Sequence, residues 1–146
     1  MEEFTVVTVI GRPVEDVYAV LTNVAKIPLW TPGVREARQT SDGPPAPGST
    51  MVSAGTFLGR DYETQGVCTE LIPGKRLAYK TTAAPMYLEV EYTLEPDGNG
   101  TRVTGRYRGE SRGFFKLAEP LVVRLSKKMW ENAGENLKEL LEERAV

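Results

Sequence analysis

The chain predicts an α+β fold, a curved antiparallel sheet wrapped around one long C-terminal helix, and three observations predict it. A β-branched first segment is followed by two short amphipathic ones; strand-like runs divided by glycine-bearing turns fill the middle; and one uninterrupted helical stretch runs from Leu117 to Arg144. A sheet that closes on a helix in this way leaves space between them. The sequence therefore argues for a container before it argues for a reaction.

Glu3 to Ile10 alternates Phe4, Val6 and Thr8 against Thr5, Val7 and Val9, the period of a strand. Pro13 suits the first position of a helix, and Glu15 and Asp16 in its first turn complement the helix dipole. Val14, Val17, Tyr18 and Leu21 share one face of that helix. Asn23 to Trp30 forms a second short helical turn, ended by Pro28, Pro32 and Gly33. Gln39 to Ser49 carries Gly43, Pro44, Pro45, Pro47 and Gly48, too much backbone punctuation for an element, and reads as a surface loop.

Strands follow at Thr50–Leu58, Asp61–Ile72, Arg76–Thr82, Tyr87–Glu95 and Thr101–Glu110. Their turns, Leu58-Gly59-Arg60, Pro73-Gly74 and Asp97-Gly98-Asn99-Gly100, each hold a glycine able to take positive φ. Alternation turns Met86, Leu88, Val90, Tyr92 and Leu94 inward, and likewise Val103, Gly105, Tyr107 and Gly109, where the glycines leave room on the concave side. On the last helix, Leu117, Leu121, Leu125, Met129, Ala133, Leu137 and Leu140 form the expected inward stripe, and Ala133 and Gly134 are small where the helix would press on the sheet. Lys127–Glu131 and Lys138–Glu142 lie at supportive i,i+4 spacing on the wet face.

The 146 residues suit a single domain over 1–146, large enough to bury about 68–70% of its unfolded surface. A net charge of −2, with no basic stripe, argues against nucleic acid as a partner. The start Met-Glu-Glu-Phe has no signal-peptide pattern, no apolar run is long enough for stable membrane insertion, and the lone Cys68 suits a reducing cytoplasm. The absence of histidine excludes Ser-His and Cys-His nucleophilic systems and every His-containing zinc pattern. No metal and no cofactor is therefore expected, and the oligomeric state is left open.

In order and spacing the chain resembles the START/Bet v 1-like (SRPBCC) superfamily and, within it, the polyketide cyclase/dehydrase and lipid-transport group. The likeness is carried by Ile10-Gly11-Arg12-Pro13-Val14-Glu15-Asp16-Val17-Tyr18, by Leu29-Trp30-Thr31-Pro32-Gly33-Val34, and by Gly66-Val67 through Glu70-Leu71-Ile72-Pro73-Gly74-Lys75-Arg76-Leu77-Ala78-Tyr79. Gly100-Thr101-Arg102-Val103 and Leu137-Lys138-Glu139-Leu140-Leu141-Glu142 complete it, so the match spans nearly the whole chain. The resemblance implies a helix-grip fold with an internal cavity. It implies no catalytic residue, because what such proteins share is mostly structural.

The cavity is expected to hold about 300–1,000 Å³, the usual range for a ligand site. Tyr62, Tyr79, Tyr92 and Tyr107 are its leading polar candidates, three of them inward by alternation, with Leu88, Val90, Leu121, Leu125 and Met129 as apolar wall. Trp30 reads either as cavity lining or as a core plug, and Phe57 either as a gate or as an ordinary rim aromatic. Gly113 would hinge Phe114 and Phe115, one as a lid and one as an anchor for the helix. Cys68 reads as a small buried hydrophobe. The function expected is binding or carriage of a small hydrophobic or amphipathic ligand, a lipid, polyketide-like or isoprenoid molecule. The alternatives are a cyclase/dehydratase-type enzyme using cavity tyrosines and a protein-interaction module with a collapsed cavity.

Overall fold

In a computed structural model the protein is described over residues 2–82, 86–111, 117 and 119–143. Seven antiparallel strands form one sheet: β1 (Glu2–Ile10), β2 (Val34–Gln39), β3 (Thr50–Phe57), β4 (Arg60–Ile72), β5 (Arg76–Thr81), β6 (Met86–Asp97) and β7 (Gly100–Ser111), in the spatial order β1-β7-β6-β5-β4-β3-β2. Between β1 and β2 lie α1 (Val14–Leu21), a single 3₁₀ turn (Val24–Lys26) and α2 (Ile27–Trp30); α3 (Glu119–Glu143) lies across the sheet. This is the helix-grip arrangement that the order of elements predicts. Among the described residues no helix is long and apolar enough to cross a membrane.

β2 was not expected. Val34-Arg35-Glu36-Ala37-Arg38-Gln39 carries three charges in six residues, and a bulge between Val34 and Glu36 breaks the alternation that would betray a strand. It is an edge strand, where charges and bulges discourage pairing with other chains, and only Ala37 is buried. Pro28 also differs from expectation. It sits in the first turn of α2, where its missing N–H costs nothing, instead of ending the helix.

Where alternation was clean, the faces are as expected. Val90, Tyr92 and Leu94 on β6 and Val103 and Tyr107 on β7 are buried. The β3–β4 hairpin turns on Leu58 and Gly59, both with positive φ (53° and 72°), as a two-residue loop between twisted strands requires.

The stripe on α3 needs correction in its first half. Leu117, Leu121 and Leu125 are 88%, 39% and 37% exposed, whereas Val122, Trp130, Ala133, Leu137, Leu140 and Leu141 are buried. The reason is geometric. At 100° per residue, each i+4 step advances 40°, so a row kept strictly at i+4 from 117 to 133 rotates well off one face, while a face spaced i, i+3, i+4 averages 3.6 residues and stays put. The true core stripe is centred on Val122, Trp130, Ala133 and Leu137.

The second half of α3 is pinned. Ala133 is fully buried, and a Cβ on Gly134 would stand 2.5 Å from Thr8 Oγ1 on β1, so the helix approaches that strand as closely as a backbone can. Glu142 accepts a 2.6 Å hydrogen bond from the Gly11 amide, Arg12 donates to the Leu141 carbonyl at 2.7 Å, and buried Thr101 donates to the Arg12 carbonyl at 2.8 Å. The end of α3 is thereby tied to the β1–α1 turn and to the start of β7.

The corrected stripe leads to a paired expectation. Leu137→Ala should lower unfolding stability by about 2–5 kcal/mol, the cost of a cavity at a closed site. Leu125→Ala should change it by only about 0.5 kcal/mol, as exposed positions do. Equal midpoints for the two variants in urea unfolding would contradict the placement of α3.

Candidate functional site

The cross-strand register decides where the sheet is filled and where it is open. One row runs Cys68, Tyr79, Val90, Tyr107, Phe4 across β4, β5, β6, β7 and β1; the row toward the β1–α1 turn runs Leu77, Tyr92, Gly105, Val6. Gly105 is the gap in the second row. A Cβ there would lie 2.5 Å from the Tyr107 hydroxyl, so the missing side chain is what lets the Tyr107 ring lie back along its own strand. On the other side of the first row stand Gly66, Thr81, Leu88 and Gly109, small or flexible, and there the space opens.

A cavity of about 200 Å³ occupies that space, between the sheet and the first half of α3. The sheet contributes Phe4, Met51, Ser53, Phe57, Tyr62, Thr64, Tyr79, Thr81, Leu88, Tyr107 and Gly109; α2 and the segment after it contribute Ile27, Thr31 and Pro32; and α3 contributes Glu119, Val122, Val123, Ser126, Met129 and Trp130. The volume falls below the expected 300–1,000 Å³. Aromatic rings fill the base of the grip: Tyr107 stacks on Trp130 with centres 4.3 Å apart and planes 15° apart, with Tyr92 edge-on to Tyr107 at 5.9 Å and Trp30 edge-on to Tyr92 at 6.2 Å.

Six of the sequence candidates line this space: Phe57, Tyr62, Tyr79, Leu88, Tyr107 and Met129. Tyr92 and Val90 do not. They point inward but lie beneath the wall, at 2% and 0% exposure, since alternation fixes the face of a strand and not the depth along it. Trp30 is likewise buried in the core as a plug, its backbone oxygen held by Asn136 at 3.2 Å. Leu121 and Leu125 are off the wall for the helical reason given above, and Phe114 lies outside the described residues. The residues that sequence reasoning missed include Phe4, Thr31, Thr64, Val122, Ser126 and Trp130. The i, i+4, i+7, i+8 spacing of Val122, Ser126, Met129 and Trp130 was the available signal, hidden because Ser126 interrupts the apolar pattern.

The phenols form an electrostatic cluster. The Tyr107 hydroxyl donates to the Tyr92 oxygen at 3.2 Å; Tyr107 and Tyr79 both disfavour ionisation of Tyr92, Tyr79 also disfavours that of Tyr107, and hydrogen bonding with Tyr92 offsets part of the rise in Tyr79 and Tyr107. Burial, reinforced by the Tyr62 phenol nearby, pushes Tyr79 up to about 12; burial also raises Tyr62, Tyr92 and Tyr107. Tyr79 keeps some exposure only because it faces the cavity. Cys68 is buried outside this cavity, its thiol pushed up by burial and donating to the Glu70 carbonyl at 3.5 Å, as a small hydrophobe would sit. Among the described residues no three His, Cys, Asp or Glu side chains come together as a metal site would require.

Among the described residues the wall's chemistry is thus neutral hydroxyl on apolar ground, save the carboxylates of Glu110 and Glu119 where β7 ends and α3 begins. At neutral pH such phenols donate hydrogen bonds and do not take protons.

Comparison with solved structures matches this architecture over almost the whole chain. A START superfamily protein from Mycobacterium smegmatis superposes with a TM-score of 0.82 at 13% identity, covering 97% of both chains. A protein from Thermus thermophilus does so with a TM-score of 0.81 at 18% identity, covering 94% of this chain and 95% of that one. The di-domain ARO/CYC StfQ from the steffimycin biosynthetic pathway matches at 0.74 and 18% identity, over 97% of this chain and 50% of its own. Among curated proteins, none matches the sequence. The family model described as polyketide cyclase / dehydrase and lipid transport matches residues 1–142, and the chain belongs to that family.

Proposed function

We propose that this chain, acting as one domain in the cytoplasm, binds and carries a small hydrophobic or amphipathic molecule of lipid, polyketide-like or isoprenoid kind. The cavity is the observation that carries the reading. Held dry and empty, about 200 Å³ would cost roughly 5 kcal/mol in lost contacts, a large part of the stability of an ordinary domain. A ligand of matching shape restores those contacts. An open cavity supports this reading over that of an interaction module with a collapsed one.

A cyclase/dehydratase-type enzyme is the second reading, favoured by the donors on the wall. Neutral phenols can stabilise an enolate oxygen as charge develops on it. With their ionisation disfavoured by burial, Tyr79 and Tyr107 cannot serve as the base at neutral pH, so that role would pass to Glu110 or Glu119.

Native mass spectrometry of protein purified without added ligand should show a co-purifying apolar molecule, and neutral Nile red should bind the delipidated protein. Ser126→Trp, which projects an indole into the cavity from a half-buried helix position, should abolish dye uptake while leaving the helical circular dichroism intact. Undiminished uptake in that variant would place the dye elsewhere and count against the cavity.

Protonation yields a second expectation. Tyr79 ionises near 10 when unfolded and about 12 when folded, so between those values the unfolded state has lost a proton that the folded state keeps. Stability from this group is therefore full below pH 10 and is lost as pH rises through 12. Urea midpoints should be flat from pH 7 to 9 and fall steeply above 10, with the fall shallower in Tyr79→Phe. Absorbance at 295 nm should show Tyr79 and Tyr107 ionising only as the fold is lost; free titration near pH 10 would show that they are not shielded.

A further inference from the structure

Resting on the cavity reading, we propose that the ligand is a molecule without an anionic group, bearing a keto or hydroxyl oxygen at one end, and that Tyr62, Thr31 and Thr64 form the pole that holds this oxygen. The wall is not uniform. On the side of α3, β1 and β6 it is mostly apolar, with Phe4, Leu88, Val122, Val123, Met129 and Trp130 around the single hydroxyl of Ser126, and with Glu119 at the start of the helix. On the side of β3, β4 and α2 it carries Thr31, Ser53, Tyr62 and Thr64.

Within that polar side, three hydroxyls stand without a partner. Thr31 is 5% exposed, and its Oγ1, like that of Thr64, is sealed from solvent with no hydrogen bond from the protein. Such a group costs free energy until something pairs with it. Tyr62 lies two residues from Thr64 on the same face of β4, and its hydroxyl has no hydrogen-bond partner among the described residues. Tyr107, by contrast, already gives its proton to Tyr92.

The backbone makes room for this pole. A Cβ on Gly55, which pairs with Tyr62 across β3 and β4, would fall 3.0 Å from the Tyr62 hydroxyl and 2.1 Å from the Gly33 carbonyl oxygen. Only glycine at position 55 lets the Gly33 backbone and the Tyr62 hydroxyl lie this close to β3. O–H groups on this side of the wall can donate to the lone pairs of a carbonyl oxygen or of an alcohol.

The charges of the described wall argue against an anionic ligand. The described wall carries no Lys or Arg, and its formal charges are the carboxylates of Glu110 and Glu119. A fatty-acid carboxylate or a phosphate would give up its hydration and find no cation among the described wall residues to replace it. A neutral oxygen needs only donors, which the pole supplies.

The test uses three flat probes of one shape, naphthalene, 2-acetylnaphthalene and 2-naphthoate, titrated calorimetrically into the delipidated full chain at pH 8. The ketone should bind at least about fivefold tighter than naphthalene, and the carboxylate more weakly than the ketone. Tyr62→Phe and Thr64→Val should each weaken the ketone by about two- to tenfold, leave naphthalene unchanged, and keep or raise the thermal midpoint, because each removes a hydroxyl that lacks a partner in the free protein. Should Thr64→Val fail to fold, Tyr62→Phe and Thr31→Val decide the matter. Naphthalene binding as tightly as the ketone, naphthoate binding tightest, or variants that leave the ketone untouched or weaken both probes alike would overturn the pole while the cavity reading stands. If none of the probes binds, the pole falls; if no molecule co-purifies either, the cavity reading falls with it.

Discussion

The stack of Tyr107 on Trp130 sets how deeply α3 sits in the sheet, and most of what surrounds it depends on that depth. Two large rings lying flat at 4.3 Å bring the helix as near to β7 as aromatic surfaces allow. Gly105 makes the arrangement possible by giving up the volume that the Tyr107 ring occupies. Phe4 from β1 and Tyr92 from β6 close on the same ring at 5.9 Å each, so β1, β6, β7 and α3 meet in one aromatic cluster. Each such pair adds about 0.5–1.5 kcal/mol beyond the area it buries. The cluster is the floor of the cavity, and its bulk explains why the space above it is smaller than a ligand site of this type usually is.

Past that floor the two halves of α3 behave differently. Toward its end the helix is locked by the close approach of Gly134 to Thr8 and by hydrogen bonds from Gly11 and Arg12, with Lys138 donating to the Val9 carbonyl at 2.7 Å along the edge of β1. Toward its start it spans open volume, with Val122, Ser126 and Met129 facing the cavity and Leu121 and Leu125 facing outward. A helix fixed at one end and standing over a void at the other forms a wedge-shaped space. The cavity is thus a consequence of where glycine permits close packing and where aromatic bulk forbids it.

The sequence made the sheet legible wherever alternation was strict and the turns carried glycine, which is why β3 to β7 and their faces were readable. It hid β2 because an edge strand protects itself with the same charges that make it resemble a loop. On α3 the leucines misled: Leu117, Leu121 and Leu125 are apolar by composition, yet helical rotation carries them out of the core, while Trp130 and Val122 take the places assigned to them. Of the tyrosines, alternation gave the direction of Tyr92 but not its depth, and depth is what separates a wall from a foundation. Thr31 and Thr64 were invisible, because nothing in a single hydroxyl residue announces that folding will leave it without a partner.

The apolar and phenolic character of the cavity floor is written into the strand register itself. Along the middle of β6 and β7 the charged residues fall on the convex face, where Arg106 meets Glu3 at 2.7 Å and Glu91 at 3.5 Å, Arg108 meets Glu89 at 3.2 Å, and Arg76 meets Glu91 at 3.6 Å. Such exposed pairs contribute little to stability. Their effect is on register: a slip of one residue would turn Glu89, Glu91, Arg106 and Arg108 toward the aromatic cluster and send Val90, Tyr92 and Tyr107 into water. The charges outside and the apolar and phenolic floor inside are therefore one constraint seen from two faces of the sheet. A strand pattern that can hold this sheet together is already one that presents its interior to a ligand as hydrocarbon and hydroxyl.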